Sequence, residues 1–397
     1  MLASFGAAAA AALRPSSLRA APSAPVALAR CRTYEPGELS ATLGKMFDQI
    51  GGLGRLVKGK TVAIKINMTG AAESRLGHHP IEDTTWTHPN VIATAMQLMD
   101  AAGARRIRLL ESPWSTDEPL EEFMIKAGWD PAQFTSAARA VEFENTNFLG
   151  FGKEYHRLPV PNGGHMFPAY DLNHSYEDCD TFVSIGKLKE HRTAGITLAM
   201  KNCFGITPCT IYGDGAGLQG PAPSPKGGRA SVIHYGSRAP SLSAPQEHDP
   251  TSPRNGGYRV PRVVADLAAA RPIHLSIIDG VTSQAVGETA RHPRSFYLEP
   301  HVLIAGTNAV CTDAVGAAVM GFDPMADRGT APFELCDNTL KLAEELGVGT
   351  RNLADIEVAG PPIRELVCDF RAEHKRRGIV LPSEPLERPR RSRASDI

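Results

Sequence analysis

The chain has 397 residues, a formal net charge of -1 and a hydrophobic share of 42%. That length admits roughly two or three average domains or one large α/β domain. The near-neutral balance argues against nucleic acid as the main partner, and no apolar run reaches the length of a membrane span.

Residues 1–33 read as a signal-like or disordered leader. Positions 7–12 are an unbroken alanine run, a Pro/Ser/Ala stretch follows, and Ala27-Leu28-Ala29 fits a small-x-small cleavage site. On that reading the protein is extracytoplasmic, periplasmic or secreted. The missing basic n-region is explained if the true start lies upstream and carries the arginines of a twin-arginine signal. A merely disordered leader would leave the protein cytoplasmic. Seven cysteines are present, with no pair spaced C-x-x-C, so no ferredoxin or zinc-ribbon signature exists. The Pro/Arg/Ser-rich residues 381–397 predict a disordered basic tail.

In chain order, β-branched content makes residues 61–67 a strand. Thr87-His88-Pro89 opens a helix, since proline suits a first-turn position whose N–H would be unpaired. Val91, Ile92, Ala95, Leu98, Met99 and Ala102 form its apolar stripe, and Gly103 closes it in the left-handed region. Residues 106–110 are the next strand, which completes a βαβ unit and favours a parallel sheet. Residues 117–150 read as a helical excursion with an irregular return. A strand at 182–185 feeds a polar loop, then a small-residue helix at 194–203. Residues 205–258 are dense in Gly, Pro and Ser and read as a lid or binding loop. Beyond it come a helix at 260–270, strands at 273–278 and 301–305, a helix capped by Thr312-Asp313, a helix at 333–346 and a strand at 356–358. The expected fold is α/β, with a mostly parallel, Rossmann-like sheet, helices on both faces and a long inserted loop. One domain of 34–204 and 259–380 is interrupted by the loop at 205–258.

Open α/β sheets place ligands at the C-terminal ends of their strands. Those ends carry Lys65 and Asn67, Glu111, the run from Lys187 to His191, Asp279, and the run from Asn308 to Asp313. Lys65 interrupts a strand otherwise apolar on both faces. Lys187, Lys189 and Arg192 cluster just before a helix N-terminus, where unpaired N–H groups add to the attraction for a carboxylate or phosphate. Lys201, with Asn202 beside it, follows a small apolar run. Burial there favours the neutral amine and suits covalent work. A straight helix would hold His191 and Lys201 about 15 Å apart. His78, His79 and His88 crowd one loop without a standard metal-ligand spacing; His88, at a helix N-terminus, suits a neutral base or a cap.

The motifs Ile64-Lys65-Ile66-Asn67, Thr87-His88-Pro89, Glu111-Ser112, Lys189-Glu190-His191, Lys201-Asn202-Cys203-Phe204-Gly205, Ile278-Asp279-Gly280 and Asp313-Ala314-Val315-Gly316 occur in this order. Together, over about residues 58–360, they resemble the family called domain of unknown function 362. Some of its members carry ferredoxin-type cysteine clusters, which this chain lacks, so the resemblance brings no iron–sulfur centre with it. His191 followed by Lys201 across small residues is also similar to a segment of lactate racemase. That resemblance implies a nickel-pincer nucleotide held by the histidine and, covalently, by the lysine.

The expectation is an enzyme acting on a small anionic substrate, a hydroxy or carboxylic acid. Lys187, Lys189 and Arg192 hold the anion. His191 or His88 moves a proton, and Lys201 binds a cofactor or stabilises developing charge. Lys65, Asn67, Asn202, Asp279 and Asp313 complete the site. The alternative is a non-catalytic binding or electron-transfer accessory docking an iron–sulfur partner. A cleft beneath the 205–258 loop favours the enzyme, and a flat apolar patch favours the accessory.

Overall fold

The structure, a computed structural model, describes residues 21–114, 116–147, 154–290 and 292–380. The alanine run and the basic tail lie outside the described residues.

Eight strands form one sheet: β1 (Val26–Arg30), β2 (Thr61–Lys65), β3 (Arg106–Glu111), β4 (Val141–Asn145), β5 (Thr181–Lys187), β6 (Leu275–Gly280), β7 (Val302–Gly306) and β8 (Val358–Ala359). Their order is β8-β1-β7-β6-β5-β2-β3-β4. Five of the seven pairings are parallel; only β7 runs against its neighbours, β1 and β6. The sheet is the mostly parallel, Rossmann-like one expected.

Side chains alternate between two cores. Val62, Ile64, Val183 and Ile185 point to the face covered by α1 (Pro36–Gln49) and α2 (Pro89–Ala101). Ala63, Phe182 and Ile278 point to the other, covered by α4 (Gly256–Ala270) and α5 (Ala309–Val319), with the short α3 (Leu198–Asn202) between. A sheet buried on both faces needs the continuous apolar runs that make β2 and β5 legible. Gly103 follows α2 at φ +95°, as expected of a left-handed C-cap.

The leader boundary at 33 is corrected. Val26, Ala27 and Leu28 are fully buried in β1, which pairs along its whole length with β7. The small apolar neutral residues that resemble a cleavage site equally suit a strand enclosed by two neighbours, and here they form one. Export inferred from that triplet loses its basis.

Three further elements differ from expectation. The return after residue 135 is the edge strand β4, not irregular chain. Helix α5 starts at Ala309 and is capped by Asn308, whose side chain accepts the Cys311 N–H, not by Thr312-Asp313. Because β7 is antiparallel, Asn308 falls on the sheet edge opposite the ends of β2, β3, β5 and β6.

The 205–258 segment is built into the domain. Tyr212, Val232 and Ile233 are buried. Glu247 pairs with Arg259 of α4 at 2.6 Å. Among the described residues no helix is long and apolar enough to cross a membrane.

Candidate functional site

At the C-terminal ends of β2, β3 and β5 lies a cavity of about 830 Å³, and the 205–258 segment forms one of its walls. Lys65, Asn67, Lys189, His191, Arg192, Lys201 and Asn202 all line it. Lys187, His88, Asp279 and Asp313 do not.

The floor is polar and internally neutralised. The Lys65 amine lies 2.6 Å from Glu111 and also donates to the Ile66 carbonyl and Asn202 Oδ1. Burial draws the Lys65 amine below its ordinary range, against the pull of Glu111. The Asn202 amide donates to Lys65 O, Ser184 Oγ and Ile185 O, tying α3 to β2 and β5. Gly205 lets the chain pass close: a Cβ there would meet the Lys65 amine at 3.1 Å. Asn67 is 3% exposed, and its Oδ1 has no hydrogen-bond partner among the described residues.

His191 and Lys201 reach the same cavity because the segment between them is not a straight helix. Glu190–His191 pairs with Gly195–Ile196 as a tight antiparallel ribbon, and α3 begins only at Leu198, with Leu198 itself at φ +43°. Helix α3 is anchored from the side. The Asp313 carboxylate accepts the N–H groups of Ala199 and Met200, each at 2.9 Å. Burial pushes the Asp313 carboxyl up to about 7 despite those two bonds. A missing Cβ at Gly186 gives α3 its close seat, since a side chain there would meet the Leu198 carbonyl at 2.3 Å.

Lys201 is held differently from the other lysines of this edge. Its amine sits 4.2 Å over the Phe204 ring. No carboxylate lies within ion-pair distance of it among the described residues. Burial lowers its pKa to about 7; Glu288 raises it, and Arg229 and Lys65 lower it further. Glu288 is held down to about 2. Burial pushes it up, but His191, its own backbone N–H, Lys201 and His234 outweigh burial. Burial depresses both histidines, His191 well below its usual range and His234 to about 4, with Lys201 adding to each.

The histidines occupy opposite tautomers. His191 Nδ1 accepts the Thr193 N–H, so the neutral ring carries its proton on Nε2. His234 Nδ1 faces the Arg229 carbonyl at 3.1 Å. A carbonyl only accepts, so that proton sits on Nδ1 and Nε2 keeps its lone pair.

Arg229 is the cation of the wall. Its guanidinium donates to the carbonyls of Thr207, Ser112 and Gly205 and to Asn147 Oδ1. None of these partners is charged. Lys189 is fully buried and likewise bonds to neutral groups, donating to the carbonyls of Thr85 and Glu288. Burial takes its amine well below the ordinary range. Arg192 is exposed at the rim.

Four expected site residues are instead scaffold. Lys187 is fully buried and paired with Asp279 at 2.9 Å, with the Tyr34 hydroxyl and the Glu82 carbonyl as its other partners. Asp279 also accepts the His88 N–H. His88 stacks on Tyr34 at 3.7 Å, caps α2 by accepting the Asn90 N–H, and is drawn down to about 4 by burial. It is a half-buried cap. His78 and His79 lie ring to ring at 4.3 Å and His79 stacks on Tyr297, whereas His88 stacks on Tyr34. Among the described residues no group of His, Cys, Asp and Glu could hold a metal ion.

Sequence reasoning missed Arg229, His234 and Glu288 as cavity residues. Arg229 caps and His234 ends the single helical turn Ala230–His234 within the 205–258 segment, Glu288 lies eight residues past the end of β6, and no periodicity points to any of them.

Residues 62–318 match the family described as Domain of unknown function (DUF362). The chain belongs to that family. A thylakoid-associated protein of Synechocystis sp. is 29% identical over 194 residues, which are 46% of this chain and 50% of that protein. The chain thus matches about half the length of this curated relative. Among solved structures, a Thermotoga maritima protein superposes with a TM-score of 0.35 and 14% identity, over 71% of this chain and 57% of that one. The lactate racemase apoprotein of Thermoanaerobacterium thermosaccharolyticum gives 0.34 and 11%, over 70% and 54%. Likenesses of this extent carry no argument about function.

Proposed function

We propose that the protein is an enzyme that binds a small carboxylate, a hydroxy or carboxylic acid, in this cavity and transfers a proton there. The observation that carries the reading is the setting of Arg229: a guanidinium cation on a cavity wall, bonded only to neutral acceptors. A cation so placed attracts an anion more strongly than one already paired. Arg229 takes the anchoring role expected of Lys187, with Arg192 at the rim and Lys189 behind. The unpartnered Asn67 Oδ1 offers an acceptor for a ligand hydroxyl. Lys201, His191 and His234 are the proton-transfer groups, all held near or below neutrality by burial. The accessory-protein alternative called for a flat apolar patch on this edge. A walled cavity beneath the 205–258 segment, with charged and amide side chains set in its lining, favours the enzyme.

The test is a panel of small hydroxy and carboxylic acids incubated with the protein in D2O. Binding is read by calorimetry and exchange of the carbon-bound proton by NMR. The reading expects at least one acid to bind and exchange, with binding weakened in Arg229→Met. Absence of binding by every acid tried would refute it.

A further inference from the structure

We propose that Lys201 is a nucleophile that captures a small carboxylate bearing a carbonyl group, a 2-oxo or aldehyde acid, as an imine on its amine. This rests on the carboxylate reading above and names the reactive group of the ligand.

Four lysines lie along this sheet edge, and three are fastened. Lys65 donates to a carboxylate, a carbonyl and an amide oxygen. Lys187 donates to Asp279, Tyr34 and a carbonyl. Lys189 donates to two carbonyls. The Lys201 amine makes no hydrogen bond to any other described residue, although its backbone N–H donates to the Thr197 carbonyl. Its amine rests on the face of Phe204 and borders the cavity. An amine serves as a nucleophile only when it can shed its proton and is not held by acceptors. Of the four, only Lys201 meets both conditions.

The neighbours supply the rest of the chemistry. His234 packs edge-on against the same Phe204 ring, with centroids 4.8 Å apart, so base and amine share one aromatic support. Its Nε2 carries the lone pair. His191 offers the opposite function, an Nε2–H, as a hydrogen-bond donor for the carbonyl oxygen as negative charge builds on it. Arg229 anchors the carboxylate. The step balances without an outside reagent. The Lys201 nitrogen forms a bond to the carbonyl carbon, and the π pair moves to oxygen. Both amine protons leave in turn through His234 Nε2 and end on that oxygen, which departs as water. A C=N bond replaces the C=O bond, and nothing is oxidised or reduced. Glu288, held as an anion beside Lys201, favours an iminium once formed.

The experiment is reductive trapping. The full chain is incubated with glyoxylate or pyruvate and sodium cyanoborohydride, then digested and mapped by mass spectrometry. Acetaldehyde serves as the neutral comparison. The expected result is a reduced adduct on the peptide carrying Lys201, ahead of the surface lysines. It should be absent in Lys201→Arg, and Arg229→Met should diminish it for glyoxylate but not for acetaldehyde. The map of the unmodified chain locates the adduct whether or not the variants fold. Adducts scattered over surface lysines with Lys201 untouched would overturn the imine. So would pyruvate binding by calorimetry without an adduct, although that outcome leaves the carboxylate reading standing. Neither binding nor adduct would remove both. Equal labelling by acetaldehyde with no effect of Arg229→Met would overturn the carboxylate anchor.

Discussion

Lys187 and Lys201 sit on the same sheet edge, fourteen positions apart in sequence, and are treated in opposite ways. Lys187 is sealed against Asp279, with Tyr34 and a carbonyl completing its donors. Lys201 has an aromatic face and an open cavity. A buried charge with its complement present contributes to the scaffold, because removing either partner strands the other. A charge on a cavity wall without its complement destabilises the free protein and awaits a ligand. The same contrast separates Lys65, paired with Glu111, from Arg229, bonded only to neutral groups. Basic residues clustered in sequence are therefore not one site. Burial and partner decide which of them face a ligand.

The largest expected effect lies on the scaffold side. A chain starting at Tyr34 loses β1 and with it the fixed start of the segment that carries Tyr34 to the Lys187–Asp279 pair. It should show no cooperative melting transition, or one lower by more than about 10 °C. An unchanged midpoint would mean that β1 is dispensable. Lys187→Met strands Asp279 in the interior and should cost about 3–5 kcal/mol in denaturant unfolding. A variant as stable as the parent would break the comparison at its first term.

Lys201→Met should act in the opposite direction. An unfolded lysine titrates near 10.5 and the folded Lys201 near 7. Between those values the unfolded chain holds the proton and the folded chain does not. Stability contributed at this site therefore falls as pH drops from about 10.5 to about 7, and not further below. The methionine variant escapes that loss. At pH 7 it should be more stable than the parent by on the order of 2–4 kcal/mol, with the difference closing towards pH 10. Arg229→Met should weaken binding of a small carboxylate by about 10- to 100-fold with little change in melting. The smallest effect belongs to Glu288→Gln. Glu288 raises the Lys201 pKa, so its removal should move the amine's titration lower, read from the pH dependence of reductive alkylation.

How far the sequence reveals this molecule follows from the same physics. Strands buried on both faces write themselves as apolar runs, so β2, β5 and β6 are legible, as is α2 with its proline start and glycine stop. Strand β1 is not, because Val26-Ala27-Leu28-Ala29 is equally suited to a processing site and to a central strand, and only its partners β7 and β8 decide. The antiparallel sense of β7 has no local signature, which sent Asn308 to the wrong edge. In the site, the residues next to strand ends were found. Arg229, His234 and Glu288 were not, since tertiary packing of segments outside the sheet brings them in. Lys187 and Lys201 both read as cations after apolar runs, and the identity of a partner 92 residues away separates them.

The state of one amine, that of Lys201, separates a ligand-binding lysine from a structural one at this edge. Its titration can be followed directly by NMR in protein with isotope-labelled lysine side chains, with Lys201→Arg to assign the signal. The account predicts a midpoint near 7 for Lys201, displaced when glyoxylate is added. A signal that stays protonated until the ordinary lysine range, near 10.5, and ignores the ligand would contradict it.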